Sequence, residues 1–351
     1  MKIINFGFIG AGKIAGFSAA SVASHGSGRV VAIQDVHLSR TEELQKEHNI
    51  PKAYATAEEI FADEEIDAVY IAVPNKFHAS LALAALEAGK HVMLEKPFTM
   101  NADEARAVVD LAKQKGLVFT LGMNQRFLAS GQRIREMVRN GTIGDVYHAK
   151  AQWLRRAGIP KLGTWFGNRA LAGAGAINDI GVHALDLCLH LIDNFDPVTV
   201  TASTYTKFGD QGLGEGGWGL SDKEDIVFDV DDFASVFIRM RDGCSITLDA
   251  AWACHVPEGS LFNVQLFGTK GGFCLDPLKY CHPGEPEGEY AVEEILESPL
   301  PMTHCDRFHN FINHLHGMEE LTVKPEEALA VQIILDAAGE SARTGREVAI
   351  A

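Results

Sequence analysis

Three groups of residues in this chain could carry chemistry. Gly10-Ala11-Gly12-Lys13-Ile14-Ala15 fits the pattern G-x-G-x-x-A, after an apolar strand and at the start of a helix. Gly10 permits a tight turn, Gly12 lets a pyrophosphate approach the backbone, and Ala15 allows close packing of helix on sheet. The helix start, with Lys13 and Ile14, would face the pyrophosphate. Lys96 lies in Gly89-Lys-His-Val-Met-Leu-Glu-Lys-Pro-Phe98, where an apolar strand delivers Glu95 and Lys96 to its end and Pro97 stops it. The carboxyl ends of parallel strands are where α/β enzymes place chemistry. Asp179 and His183 stand four residues apart in Asp179-Ile-Gly-Val-His-Ala-Leu-Asp186, on one face of a helix start. His183 could exchange a proton with a hydroxyl while Asp179 orients it and raises its basicity. Lys96 could hydrogen-bond the same oxygen and stabilise alkoxide character. A nucleotide turn, a lysine and an Asp/His pair imply a nicotinamide-dependent alcohol oxidoreductase.

Other residues refine that expectation. Asp35 ends the second strand, where a carboxylate accepts from ribose hydroxyls and repels a 2′-phosphate. This favours NAD, while Ser39 and Arg40 close behind leave NADP possible; the plainer reading is a helix N-cap. Asn75 and His78 follow the strand Ala68–Val73. They either flank the nicotinamide ribose or serve as an N-cap and a surface histidine. Asp186 either orients His183 or merely satisfies its helix. Trp153, Arg155, Arg156, Trp165, Asn168 and Arg169 precede the Asp179 helix. Aromatic faces and polar forks suit a sugar ring, and paired arginines suit a carboxylated or phosphorylated one; the alternative is pairing with acidic neighbours. His304, Cys305, His309, His314 and His316 cluster, yet only one pair has ligand spacing and the segment reads as an amphipathic helix. No metal is expected, and His304 fits better as a substrate contact.

The elements that must position these groups fall into two grammars. Residues 1–123 alternate strands (Ile3–Ile9, Arg29–Gln34, Ala68–Val73, His91–Lys96, Val118–Met123) with helices, notably Lys76–Ala88 and Ala102–Lys115. Such alternation predicts an α/β, doubly wound parallel sheet of the Rossmann type. Residues 124–351 predict a substrate-binding and oligomerisation domain of α+β type with an open, mostly antiparallel sheet. Its strands are Asp145–Leu154, Val198–Thr206, Phe233–Met240, Cys244–Ala253 and Phe262–Phe267, with helices at Gln132–Arg139, Ile180–Asp193, Arg307–Leu315 and Glu326–Arg343. The strands Phe233–Met240 and Cys244–Ala253 carry apolar residues on both faces, predicting a sheet face covered by a second copy. Gly209–Gly219, rich in glycine, reads as a mobile loop.

Composition narrows the partners. The chain has 351 residues, enough for two domains, and a formal charge of −16, which disfavours nucleic acid and anionic membranes. No leader and no membrane span are visible, and six scattered cysteines without Cys-x-x-Cys read as reduced thiols in a cytoplasmic protein.

Taken together the chain resembles the Gfo/Idh/MocA oxidoreductases, which include inositol dehydrogenases and glucose–fructose oxidoreductases. The pieces that match are Gly7–Ala15, Ala85–Pro97, Asp179–Asp186, Val230-Asp-Asp-Phe-Ala234 and Gly268–Gly272. The resemblance implies that Lys96, Asp179 and His183 form the catalytic set, with Glu95, Asn75 and His78 near the cofactor. It implies homodimers or homotetramers assembled through the open sheet, and a sugar or cyclic polyol as substrate. Asn124-Gln125-Arg126-Phe127 matches a segment at the cofactor–substrate junction, and Asn178 departs from the usual apolar residue there, which makes it a candidate substrate contact. Two rival functions share the architecture. One is an NAD-dependent glycoside hydrolase using transient oxidation; the other is a non-catalytic, cofactor-sensing regulator.

Overall fold

A computed structural model describes residues 2–219, 227–284, 286, 288–295 and 306–350. The chain divides into two compact units. The first is Met1–Met123 with His304–Leu329, and the second is Asn124–Thr303 with Ala330–Ala351. Nothing in the residue pattern of 304–329 announces that this stretch returns to the first unit.

The first unit is a parallel sheet of β1 (Ile4–Ile9), β2 (Gly28–Gln34), β3 (Lys52–Tyr54), β4 (Ala68–Ile71), β5 (His91–Leu94) and β6 (Phe119–Leu121) in the order β3-β2-β1-β4-β5-β6. Its helices are α1 (Lys13–Ser24), α2 (Leu38–His48), α3 (Ala57–Ala62), α4 (His78–Glu87) and α5 (Ala102–Lys115). This is the doubly wound order, and it reverses direction between β1 and β4, the switch point where such sheets bind ligands. The strands are apolar on both faces because helices cover both. Strand β3, only three residues long, was not visible in the sequence, where Lys52 and Tyr54 look like loop. Phe6, Phe8 and Tyr70 pack against Phe308 and Phe311 of α9 (Arg307–Leu315), with ring centroids 5.1–6.3 Å apart. Asp306 caps α9, accepting from the Phe308 amide at 2.7 Å.

The second unit is a mixed sheet. Its strands are β7 (Val146–Arg155), β8 (Pro197–Tyr205), β9 (Phe233–Met240), β10 (Ser245–Ala251), β11 (Ser260–Gly268), β12 (Gly272–Cys274), β13 (Lys279–Pro283), β14 (Tyr290–Glu294) and β15 (Val348–Ala349). They run in the order β14-β13-β12-β11-β7-β10-β9-β8-β15, antiparallel except where β7 meets β10 in parallel. The helices here are α6 (Ala129–Arg139), α7 (Arg169–Ala172), α8 (Val182–Ile192) and most of α10 (Pro325–Thr344). Val236, Ile238, Met240, Ile246 and Leu248 point to the buried face. The opposite face is not the apolar surface the sequence suggested. Phe237 pairs there with Thr201 and Thr247, and Ser235 with Ser203 and Asp249. Strict alternation along each strand sorts apolar residues inward and leaves a mixed outer face.

Gly209–Gly219 is irregular but well held. One carboxylate oxygen of Asp232, a fully buried residue, accepts the amides of Lys207, Phe208 and Gly209. Gly158 and Ile159 both donate to the Gly214 carbonyl, and Gly216 donates to Ile159. The glycines serve close approach here: a Cβ on Gly209 would overlap the Phe228 ring.

Candidate active site: a nucleotide turn and an Asp/His helix start

The nucleotide turn is built at the end of β1. Gly10 adopts φ +102°, and a Cβ there would overlap the Ala72 carbonyl. Gly12 is the N-cap of α1 and has no side-chain cap; nothing lies within 4 Å of where its Cβ would be. The space at Gly12 and a helix start without a side-chain cap are what a pyrophosphate needs. Asp35 stands beside this turn. Its Oδ2 accepts the Ala11 amide at 2.7 Å and its Oδ1 the His37 amide at 2.8 Å. A carboxylate has about four lone-pair sites, so two remain for ribose hydroxyls. These residues fit a bound NAD.

Lys96 follows β5, and beneath it Glu95 is buried. Tyr70 donates to Glu95 Oε1 at 2.6 Å, Arg307 pairs with the same oxygen at 2.6 Å, and the Lys96 amide donates to Oε2 at 3.2 Å. Burial pushes the Glu95 carboxyl up, but Arg307 and Tyr70 outweigh it and hold the group below its ordinary range. Glu95 is thus occupied by protein partners. Neither Tyr70 nor Arg307 was singled out from sequence, because neither carries a motif. Asn75 is buried at the end of β4. His78 corrects both sequence readings, surface residue and ribose contact. It is fully buried, with Nδ1 2.9 Å from the Pro97 carbonyl and Nε2 2.9 Å from the Val73 carbonyl. Both ring nitrogens are engaged by backbone, so His78 ties the loop after β4 to the loop after Lys96. Burial lowers its pKa.

In the second unit Asp179 lies in a π-helical turn, Ile177–Gly181, that leads into α8. The sequence predicted a regular helix start; the inserted turn is the kind of irregularity that often marks functional sites. Asp231 builds it, accepting the Gly175 amide at 2.7 Å and the Ile177 amide at 3.0 Å. Asp179 Oδ2 accepts Nε1–H of Trp252, a fully buried indole, at 2.9 Å. His183, 8% exposed, lies 5.7 Å from the Trp153 ring, which packs on Phe262 at 4.8 Å. Arg155 stacks over Trp153 at 4.7 Å. Burial lowers the Arg155 pKa and Asp179 opposes that shift.

The other substrate candidates separate. Arg126 is fully buried and spends Nε and Nη2 on Asp186, at 2.8 and 2.6 Å. That pair corrects one expectation, Arg126 as a substrate contact. Removing either partner would strand a buried charge and cost about 3–5 kcal/mol. Arg156 donates to the carbonyls of Val256 and Pro257, and Arg169 to Asp229, so both are structural. Trp165 stacks on Phe166 at 3.9 Å, and Asn178 is buried, donating to Ala172 at 3.4 Å. His304 and Cys305 lie outside the described residues. Among the described residues no group of three potential metal ligands forms, and His309 and His314 are engaged by Ser24 and the Glu319 carbonyl. No described helix is long and apolar enough to cross a membrane.

Comparison with known proteins completes the picture. Residues 4–123 match the GFO_IDH_MocA oxidoreductase family with its NAD-binding Rossmann fold, and residues 132–274 match the GFO/IDH/MocA C-terminal domain. D-glucoside 3-dehydrogenase of Escherichia coli (strain K12) is 31% identical over 97% of this chain and 95% of its own length. An NAD-binding protein from Listeria innocua shares the structure at TM-score 0.80 and 27% identity, over 99% of this chain and 97% of that one. Levoglucosan dehydrogenase in complex with NADH and levoglucosan has the same fold, at TM-score 0.85 and 22% identity over 99% and 100% of the two chains. The glycine turn, the Glu-Lys-Pro strand end and the Asp/His helix start therefore stand in a chain that belongs to the Gfo/Idh/MocA family of NAD-binding oxidoreductases.

Proposed function

We propose that the protein is a dehydrogenase that oxidises a secondary hydroxyl of a sugar or cyclic polyol, with NAD preferred over NADP. The observation that carries this reading is the setting of His183. Its imidazole lies against Trp153, while Trp252 anchors the carboxylate of Asp179 four residues earlier. An indole face suits the C–H face of a sugar ring, and an anchored carboxylate suits a histidine that must become a cation for part of each turnover. His183 takes the hydroxyl proton, Asp179 stabilises the resulting charge, and Lys96 donates a hydrogen bond to the oxygen as it becomes an alkoxide. NAD, when bound, supplies the hydride acceptor. Arg155 is the substrate contact this reading keeps from the arginine pair, because Arg156 is spent on backbone. The names of the relatives, a glucoside and a levoglucosan dehydrogenase, support a sugar as substrate.

The working form on this reading is a cytoplasmic homodimer or homotetramer joined through the outer face of the second unit's sheet. Cys188 and Cys244, buried and unbridged, support a reducing compartment.

The test is a panel of methyl D-glucoside, levoglucosan, D-glucose and myo-inositol with NAD, following absorbance of the reduced cofactor. At least one should yield stoichiometric NADH. Lys96→Ala and His183→Ala should each lower kcat by roughly 10²–10⁴ with NADH affinity within a few-fold. Release of free sugar without net NADH would replace the reading with glycoside hydrolysis. Near-normal turnover in either variant would remove that residue from the mechanism.

A further inference from the structure

Arg307 is the first residue of α9, and it is spent inside the first unit's core. Its Nη1 pairs with Glu95 Oε1 at 2.6 Å and donates to the Gly122 carbonyl at 3.1 Å. Its Nη2 donates to Ser18 Oγ at 3.3 Å and Tyr70 Oη at 3.4 Å. The guanidinium lies 5.2 Å from the Phe308 ring. The backbone makes room for it, since a Cβ on Gly122 would overlap Nη1. Glu95 in turn accepts the amide of Lys96. The chain of contacts therefore runs from a helix late in the sequence to the residue that the reaction above needs.

We propose that Arg307 is a positioning residue for Lys96, holding Glu95 as a carboxylate against the Lys96 backbone so that the lysine is presented from a fixed, anionic platform. The inference rests on the proposed role of Lys96. Charge arithmetic favours it over a purely structural pair. A buried carboxylate without a cation takes up a proton, because desolvation disfavours the charged form. The groups facing Glu95 are Arg307 from α9, Tyr70 from β4 and Lys96 beside it in the chain, with His78 of α4 and Asp306 within electrostatic reach of the cluster. Arg307 is the cation that both contacts the carboxylate and is fixed by three further acceptors and the Phe308 ring. Without it Glu95 becomes a neutral acid, and the charge beside Lys96 disappears near neutral pH.

The sign is specific. In the wild type Glu95 is held below its ordinary range, so its contribution to stability is present above about pH 4.3, its unfolded value, and lost as pH falls through the folded value. In R307M burial raises it instead. The folded state then keeps a proton that the unfolded state releases, and stability falls as pH rises above about 4.3.

Three variants test this: R307M, R307K and E95Q/R307M. The melting temperature of the cofactor-free protein is followed from acid to neutral pH. The R307M deficit relative to E95Q/R307M should grow with pH, and R307K should follow the wild type. With NAD and the panel sugar that gives the fastest NADH formation, R307M should acquire an acid limb in kcat. A loss of roughly tenfold per pH unit is expected below the new pKa. The acid limb set by His183 as the base is common to all variants; the wild type and R307K lack the additional limb of R307M, and KM for NAD stays within a few-fold. E95Q/R307M should be slow but without that limb. If R307M does not fold, R307Q, which keeps an amide donor for the Gly122 carbonyl, takes its place. A neutral variant with wild-type kcat and pH profile overturns the inference. If Lys96→Ala proves active, the role of Lys96 fails, while the melting curves still report whether Arg307 holds Glu95 ionised.

Discussion

On the proposed reading, Asp35 serves recognition and architecture together. Its carboxylate is tied to Ala11 in the nucleotide turn and to His37, the residue before α2. Placing a 2′-phosphate beside it should cost a few kcal/mol, so NAD should be preferred roughly 10²-fold in kcat/KM. Asp35→Ser should narrow that gap from both sides. It relieves repulsion of NADP, and it also weakens NAD binding by freeing the Ala11 amide. Steady-state kinetics with both cofactors check this, and equal use of NADP by the wild type would contradict it. The candidates with motif neighbours, Gly10, Gly12, Asp35, Lys96, Asp179 and His183, could be nominated from the sequence at this scale. Their partners could not be. Trp252, Tyr70 and Arg307 lie 73, 25 and 212 residues from the groups they serve, by subtraction from Asp179 and Glu95, and no local pattern links them. Arg126 and His78 misled because a polar side chain in a suggestive segment reads as a ligand contact until its hydrogen bonds are counted.

The π-helical turn before α8 is the element on which the Asp/His pair depends. Gly175 has no room for a side chain, because a Cβ would overlap the Asp231 carbonyl, and the Ala176 amide donates to that same oxygen at 2.9 Å. Gly175→Ala must therefore push the turn away from β9 and displace Asp179. We expect kcat to fall by roughly 10² while NADH titration by fluorescence stays near wild type, since small misplacements of a catalytic group cost about that much. An unchanged kcat would show that the turn tolerates the shift. The long elements were read well: α5, α9 and β9 match their sequence ranges, because each has clear periodicity and clear ends. Several short ones were missed, although β4, β5 and β6, three or four residues long, fell within predicted strands. Strands β12 to β15 are two to five residues long and partly polar, below what alternation can distinguish from loop. The sequence reading began a regular helix at Ile180, with Asp179 at its start, and missed the π-helical turn, because an inserted residue leaves the composition unchanged.

At the scale of the molecule, the outer face of the second unit's sheet sets the expected assembly. Its rings are partly covered by cations, Arg239 over Phe237 at 5.2 Å and Lys150 over Phe267 at 5.9 Å, and threonines and serines lie between them. Such a face favours an interface with a polar share rather than a sealed apolar core. Light scattering at micromolar concentration should give a dimer or tetramer of the 38.1 kDa chain, and Phe237→Glu should shift it toward monomer. A wild-type monomer would end the assembly proposal, and a dimer indifferent to that substitution would move its location. A different consequence follows from where α9 sits. During synthesis the first 123 residues leave the ribosome before Arg307, Phe308 and Phe311 exist. Until the last part of the chain emerges, Phe6, Phe8 and Tyr70 lack the rings that cover them, and Glu95 lacks its cation. The nucleotide-binding unit is thus finished only once α9 has followed it, and for that interval its uncovered face is one for chaperones to shield.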